Sequence, residues 1–135
     1  MSLFRIFDIS GSALHAQTVR LNTTASNMAN IDSISSSTGA TYRARQPLFA
    51  AQLDAASDEV AGVRVLGIVE SQTPLRREHR PDHPLADPDG YVNLPNVNPV
   101  EEMANMISAS RSYQSNVEVL NTSKQMMMRT LALGE

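Results

Sequence analysis

Chemistry in a protein needs ionisable or metal-binding side chains close together, and in this chain they gather in one place. His79, Asp82, His83, Asp87 and Asp89 lie within eleven residues of one another (79–89), which raises a metal site. An EF-hand starting at Asp87 would need Gly at its sixth position and Glu at its twelfth, but Val92 and Asn98 stand there. Pro81 splits the two histidines, so they cannot share a helix face. A solvated, turn-rich loop is the better reading. No GxSxG elbow, GxGxxG or GxxxxGK[ST] run occurs, so nothing supports an enzyme. No cofactor is expected.

The composition excludes other classes. A net charge of −3 over 135 residues gives no basic footprint for nucleic acid and no polybasic patch for a membrane. With no Cys, disulfides and thiolate metal sites are out. Arg5 and Asp8 interrupt the apolar start, so no secretory signal is expected. The longest apolar run, Val65–Val69, is too short to span a membrane. Aromatic residues are only 4%, lean for a compact core.

Three segments follow. Asn98-Pro99-Val100-Glu101 is a helix start, with Asn as cap, Pro in the first turn and Glu three residues after the cap. Neither Gly nor Pro recurs before Gly134. Met103, Met106, Ser110, Tyr113, Val117, Leu120, Lys124, Met127 and Leu131 follow at heptad spacing, and seven of these nine are apolar. They predict a helix of roughly 35 residues, about 50 Å long. Ile107 lies beside that stripe. Leu3, Phe7, Leu14, Leu21, Ala25 and Met28 form a second stripe, interrupted at Gly11 and ended by the loop-like Asp32–Gly39.

Between them, Thr41–Arg45 and Gly62–Val69 read as strands, with Val63, Val65 and Val69 on one face. Pro47 places the first at an edge. Residues 74–90 are an irregular Pro-rich connection ending in the turn Asp87-Pro88-Asp89-Gly90, and Tyr91–Leu94 pairs as a short strand. The expected fold is α+β: 1–32 as an N-terminal helix, 33–98 as a small β-rich and loop segment, and 99–135 as a C-terminal helix. The two helices are expected to pair as an antiparallel coiled coil.

The outer faces of these helices are unusual. Residues 1–31 carry only Arg5, Asp8 and Arg20, and residues 103–133 only Arg111, Glu118, Lys124 and Arg129. The other outer positions are mostly Ser, Thr, Asn, Gln and Ala. Such a face suits close packing on several sides better than a solvated surface. The five methionines Met103, Met106, Met126, Met127 and Met128 suit a partner-binding face, and His15 reads as a packing or interface residue. The stretch LNTTASNMAN, residues 21–30, is poor in helix formers, so it is expected to fold on docking.

Ala25-Ser26-Asn27-Met28-Ala29-Asn30 resembles the ASN-x-AN signature of bacterial flagellar axial proteins, the rod, hook and hook-cap relatives. HPLADPDGYVNLPNVN at 83–98, followed by VEEMANMISASRSYQSNVEVL at 100–120 and Asn121-Thr122, resembles the proximal rod subunits of that family. So do Phe7–Leu14 and Arg20–Thr23. Ile31 and Asp32-Ser33 depart from the common pattern. The resemblance implies a structural, non-enzymatic subunit, exported through the flagellar type III apparatus without a cleaved signal. It would assemble in the periplasm-spanning rod, the shaft between membrane ring and hook. Implied partners are other proximal rod subunits and the adapter at the rod base, in a hetero-oligomeric helical assembly.

The expected subunit-interface residues are Leu3, Phe7, Leu14, Leu21, Ala25, Asn27, Met28, Asn30, Met103, Met106, Ile107, Tyr113, Val117, Leu120, Met127 and Leu131. Asn27 and Asn30 share a face and are expected to fix register by hydrogen bonds between subunits. The competing readings are a soluble helical-hairpin adaptor and another type III axial subunit; the short middle segment argues against a hook protein.

Overall fold

A computed structural model describes residues 3–34, 40–53 and 60–134. Helix α1 runs Leu3–Ala29 and helix α2 runs Pro99–Leu133. Between them lie β1 (Arg45–Leu53), β2 (Val60–Glu70), β3 (Arg76–His79) and β4 (Tyr91–Leu94). The two helices pack against each other, and the β1–β2 hairpin packs on α1. The α+β layout matches the expectation.

Both helix ends form for local reasons. Asn98 Oδ1 accepts the N–H groups of Val100 at 3.1 Å and Glu101 at 3.5 Å, which satisfies orphan donors of the first turn. At the far end of α1, Asn30 Nδ2 donates to the Ser26 carbonyl at 2.8 Å. Gly11 does not break α1; its cost of about 1 kcal/mol is spread over 27 residues.

The strands differ from expectation in three ways. Residues 41–44 make no ladder, and β1 instead starts at Arg45 and continues through Pro47. A two-stranded sheet is all edge, so the missing proline N–H can face outward at no cost. Next, Val69 lies on the opposite face from Val63 and Val65. Leu48 pairs with Gly67 but Phe49 with Val65, so Leu66 is an extra residue and flips the alternation beyond it. Finally, β3 falls inside the stretch expected to be irregular. It has no apolar alternation of its own and is ordered by its antiparallel pairing with β4.

The small apolar core sits around β4 and the chain leading into α2. Val92 and Leu94 are each 1% exposed, and Pro95, Val97 and Ala44 are also buried. Asn96 ties this region together. Its Oδ1 accepts the Ala44 N–H at 2.7 Å, and its Nδ2 donates to the Thr73 carbonyl at 2.9 Å. The turn closes with Gly90 N–H to the Asp87 carbonyl at 2.9 Å and Gly90 at φ +80°, the left-handed conformation glycine tolerates.

Candidate functional site

The fully buried residues of the two helices are small or polar, with half-buried apolar side chains such as Leu120 and Met127 beside them. In α1 the buried residues are Ser10, Ala16, Thr23, Thr24 and Asn27; in α2 they are Glu102, Ala109 and Ser123. Small residues let two backbones approach closely but bury little hydrocarbon. Leu120 and Met127 of the α2 heptad stripe lie in line with Glu102 and Ala109, while the exposed members of the stripe turn away from the seam. Met106, Val117, Leu120 and Met127 are half-buried, while Met103, Ile107, Tyr113 and Leu131 are 52%, 57%, 38% and 68% exposed.

In α1, Phe7, Leu14, Leu21, Met28 and Asn30 are half-buried, and Ala25 and His15 are exposed. Leu3 begins the helix; its side chain lies outside the described residues.

Asn27 ties the seam at the end where α1 finishes and α2 begins. It is 1% exposed. Its Nδ2 donates to the Arg45 carbonyl at 2.8 Å and to Glu102 Oε1 at 3.1 Å. Its Oδ1 accepts the Tyr42 hydroxyl at 2.8 Å and the Arg45 N–H at 2.9 Å. Two donors and two lone pairs are the whole capacity of an amide side chain. Asn27 therefore joins α1, the entry to β1 and α2 within one chain, and has no hydrogen bond left to give a neighbour. This corrects the expectation of a bond between subunits. Asn30 likewise serves its own helix end, and its Oδ1 accepts the Ser33 hydroxyl at 3.3 Å.

The weak helix letters of residues 21–30 thus have a use inside the subunit. Thr24 and Asn27 face the seam because their polar ends are needed there. Thr23 returns its hydroxyl to the Val19 carbonyl at 2.8 Å, which satisfies a buried group locally.

Glu102 is buried at 5% exposure and makes no ion pair within 4 Å among the described residues, although Arg20 and Arg45 line the same cavity. Burial raises its pKa above the usual carboxylate value; the hydrogen bonds from Asn27 and Thr24 oppose the shift, and the charge of Glu101 adds to it. Nothing in the sequence marks Glu102, because an acid in the first turn of a helix looks like an ordinary response to the helix dipole. Tyr42, Thr24 and Asn96 were also unmarked, since each works through a partner far away in sequence.

Three members of the ionisable cluster, Asp87, His83 and His79, carry structural duties. Asp87 Oδ1 accepts the N–H of Tyr91 at 2.8 Å and of Asp89 at 3.1 Å, and Oδ2 pairs with Arg77 at 2.8 Å. The Tyr91 N–H, followed by Arg77, holds its carboxyl below the usual range despite some opposing desolvation. His83 Nδ1 accepts the Leu85 N–H at 3.1 Å, and His79 stacks edge-on against Tyr91 at 5.0 Å. Among the described residues no three His, Cys, Asp or Glu side chains are grouped to hold a metal.

Comparison with known proteins fits this layout. Residues 7–33 match the family model described as flagella basal body rod protein. Residues 89–133 match that described as flagellar basal body rod FlgEFG protein C-terminal. The chain is 54% identical to the flagellar basal-body rod protein FlgC of Salmonella typhimurium, over the full length of both. It is 56% identical to that of Yersinia enterocolitica and 54% to that of Escherichia coli O6:H1, again at full coverage of each. The chain belongs to the FlgC family of flagellar basal-body rod proteins. A FlgC-family chain is a structural subunit of the rod, and its place is the flagellar basal body. The two family matches fall on the two helices and their flanks, the parts that the seam joins.

Proposed function

We propose that this rod subunit polymerises through the outer faces of its paired terminal helices. The observation that carries the reading is the inverted distribution of side chains. The fully buried positions of the two helices are small or polar, while large apolar residues of α2 remain exposed, among them Met103, Ile107 and Leu131. A soluble chain rarely leaves such a strip in water without a partner to cover it.

On this reading Leu3, Phe7, Leu14, Leu21, Ala25, Met28 and Asn30 of α1 contribute contacts with neighbours. Met106, Tyr113, Val117, Leu120 and Met127 of α2 do the same. Asn27 contributes by fixing the angle at which the two helices are presented. The chain divides into three working parts, 1–32 and 99–135 as axial helices and 33–98 as an outer segment. The neighbours are other proximal rod subunits and the adapter at the rod base. Export is through the flagellar type III apparatus, without a cleaved signal. The family to which the chain belongs supports these assignments, as does the low charge of both helices.

The test is a double substitution on the exposed face, Met103→Glu with Ile107→Glu. Both side chains are outside the seam, so circular dichroism and thermal midpoint should stay near wild type. Swimming and the presence of the chain in isolated basal bodies should be lost. Normal motility with this variant incorporated would sink the proposal.

A further inference from the structure

The chain has neither Cys nor Trp, so its methionine sulfurs are the groups that mild oxidants attack first. Exposure sorts the methionines of the described helices into two sets. Met103, Met126 and Met128 are 52%, 56% and 61% exposed. Met28, Met106 and Met127 are half-buried; Met1 lies outside the described residues.

Helix geometry explains the sorting. Met127 stands about five turns after the buried Ala109, so it faces the seam. Met126 and Met128 are each turned from it by about 100°, one to either side. Both are open because α1 reaches little further. Asn27 meets Glu102 and Arg20 Nη2 meets Asn105 Oδ1 at 3.0 Å, which fixes an antiparallel register. At an equal rise along both helices, Leu3 falls level with about residue 124, and Ser123 is the last buried residue of α2. The exposed set thus belongs to the outer surface of α2, and the half-buried set to the side where the two helices meet.

We propose that Met103, Met126 and Met128 are sites of reversible oxidation to the sulfoxide, by a two-electron oxidant of the peroxide class. A sulfur lone pair attacks a peroxide oxygen and the O–O bond breaks. That oxygen stays on sulfur, and the rest of the peroxide leaves as water. Sulfur gives up two electrons and the peroxide takes them. Methionine sulfoxide reductases reverse the change. Each sulfoxide turns a flexible apolar side chain into a polar one. Met28, Met106 and Met127 are shielded, so the pairing of α1 with α2 survives while the outer surface of α2 becomes polar. The inference rests on the rod reading above, which gives that surface to neighbouring subunits. It adds a chemical state in which the chain is folded but unfit to be joined.

The first test treats the purified full chain with dilute hydrogen peroxide and follows each methionine by tandem mass spectrometry, which separates the three adjacent ones. Met103, Met126 and Met128 should each gain one oxygen before Met28, Met106 and Met127 do, with the circular dichroism spectrum unchanged. The two sulfoxide reductases, one for each epimer, should then remove those oxygens. Equal rates in the two sets, or loss of the helical spectrum as the exposed set reacts, overturns the inference. The second test uses Gln, which imitates the polarity of the sulfoxide. In a strain lacking its own copy, the triple variant Met103→Gln, Met126→Gln and Met128→Gln should keep its helical spectrum as a purified chain. It should be missing from isolated basal bodies, with loss of swimming. Normal swimming overturns the inference. If Met103→Glu with Ile107→Glu still abolishes swimming in that case, the rod reading stands without it.

Discussion

Asn27 Nδ2 lies 3.1 Å from Glu102 Oε1, so an amide from the end of α1 holds a buried carboxyl at the start of α2. That one contact ties together two helices separated by the whole middle segment of the chain. Neither residue is replaceable by a side chain of similar size alone, because each answers the polarity of the other.

Removing the amide leaves the Arg45 N–H and carbonyl, the Tyr42 hydroxyl and Glu102 short of a partner. Each buried orphan costs about 1–3 kcal/mol. Asn27→Leu should lower the unfolding free energy by at least about 2 kcal/mol, read from urea denaturation. A stability equal to wild type would show that these bonds are not formed in the free subunit.

Glu102 gives the seam a pH dependence of defined sign. Burial raises the folded-state pKa of its carboxyl above the unfolded value. Its protonated form is therefore favoured in the folded state. That contribution is full below the unfolded value, near 4.5, and is lost as pH rises through the folded value. Glu102→Gln should stabilise the chain at pH 7, by about 1.4 kcal/mol for each tenfold bias in the protonation equilibrium. It should also flatten this part of the pH–stability curve between acid and neutral pH. Denaturation midpoints of the two proteins across that range check it; a variant less stable at pH 7 would refute it.

Ser12 fastens the β1–β2 hairpin to α1. Its hydroxyl donates to the Ile9 carbonyl at 2.8 Å and accepts the Val63 N–H at 3.0 Å. A Cβ on Gly62 would come 2.5 Å from that oxygen, which is held by both bonds and cannot swing away freely. Gly62→Ala should cost about 1–3 kcal/mol. The cost should shrink in a Ser12→Ala background, where only a Cβ at 3.2 Å remains. A double-mutant cycle with no coupling would contradict this geometry.

Gln17 carries a buried Oε1 with no hydrogen-bond donor among the described residues. Exchanging it for a side chain of similar length without polar atoms removes that penalty. Gln17→Met should raise the unfolding free energy by about 1 kcal/mol. A thermal melt of the purified chain is sufficient to see the shift, and a lower midpoint would count against the assignment.

The extents of α1 and α2 were legible because capping and breaker residues act locally. Asn98-Pro99 starts α2, and the absence of Gly and Pro lets it run on to Leu133. Which face pairs with which was not legible. The heptad marks residues that must be covered, but it does not name what covers them. In α2 the large side chains of Met103 and Leu131 stand out in the pattern, while the helix seam uses Glu102, Ala109 and Ser123. Asn27 was visible as a marked residue, but its partners, 15, 18 and 75 positions away, come together only in the fold. The flipped alternation of β2 has the same origin, since the extra residue Leu66 is defined only by its pairing with β1.

The polar seam also bears on temperature. Opening a contact whose fully buried members are Ser, Thr, Ala, Asn and Glu uncovers less hydrocarbon than one closed by Met, Ile and Leu, so it adds less heat capacity. The grip between α1 and α2 should therefore vary less between cold and warm water. Contacts through Met, Ile and Leu behave differently, because apolar association weakens on cooling. A shaft joined between subunits by such residues loses its joints to cold before its subunits lose their shape, and chilling should release them as folded pieces.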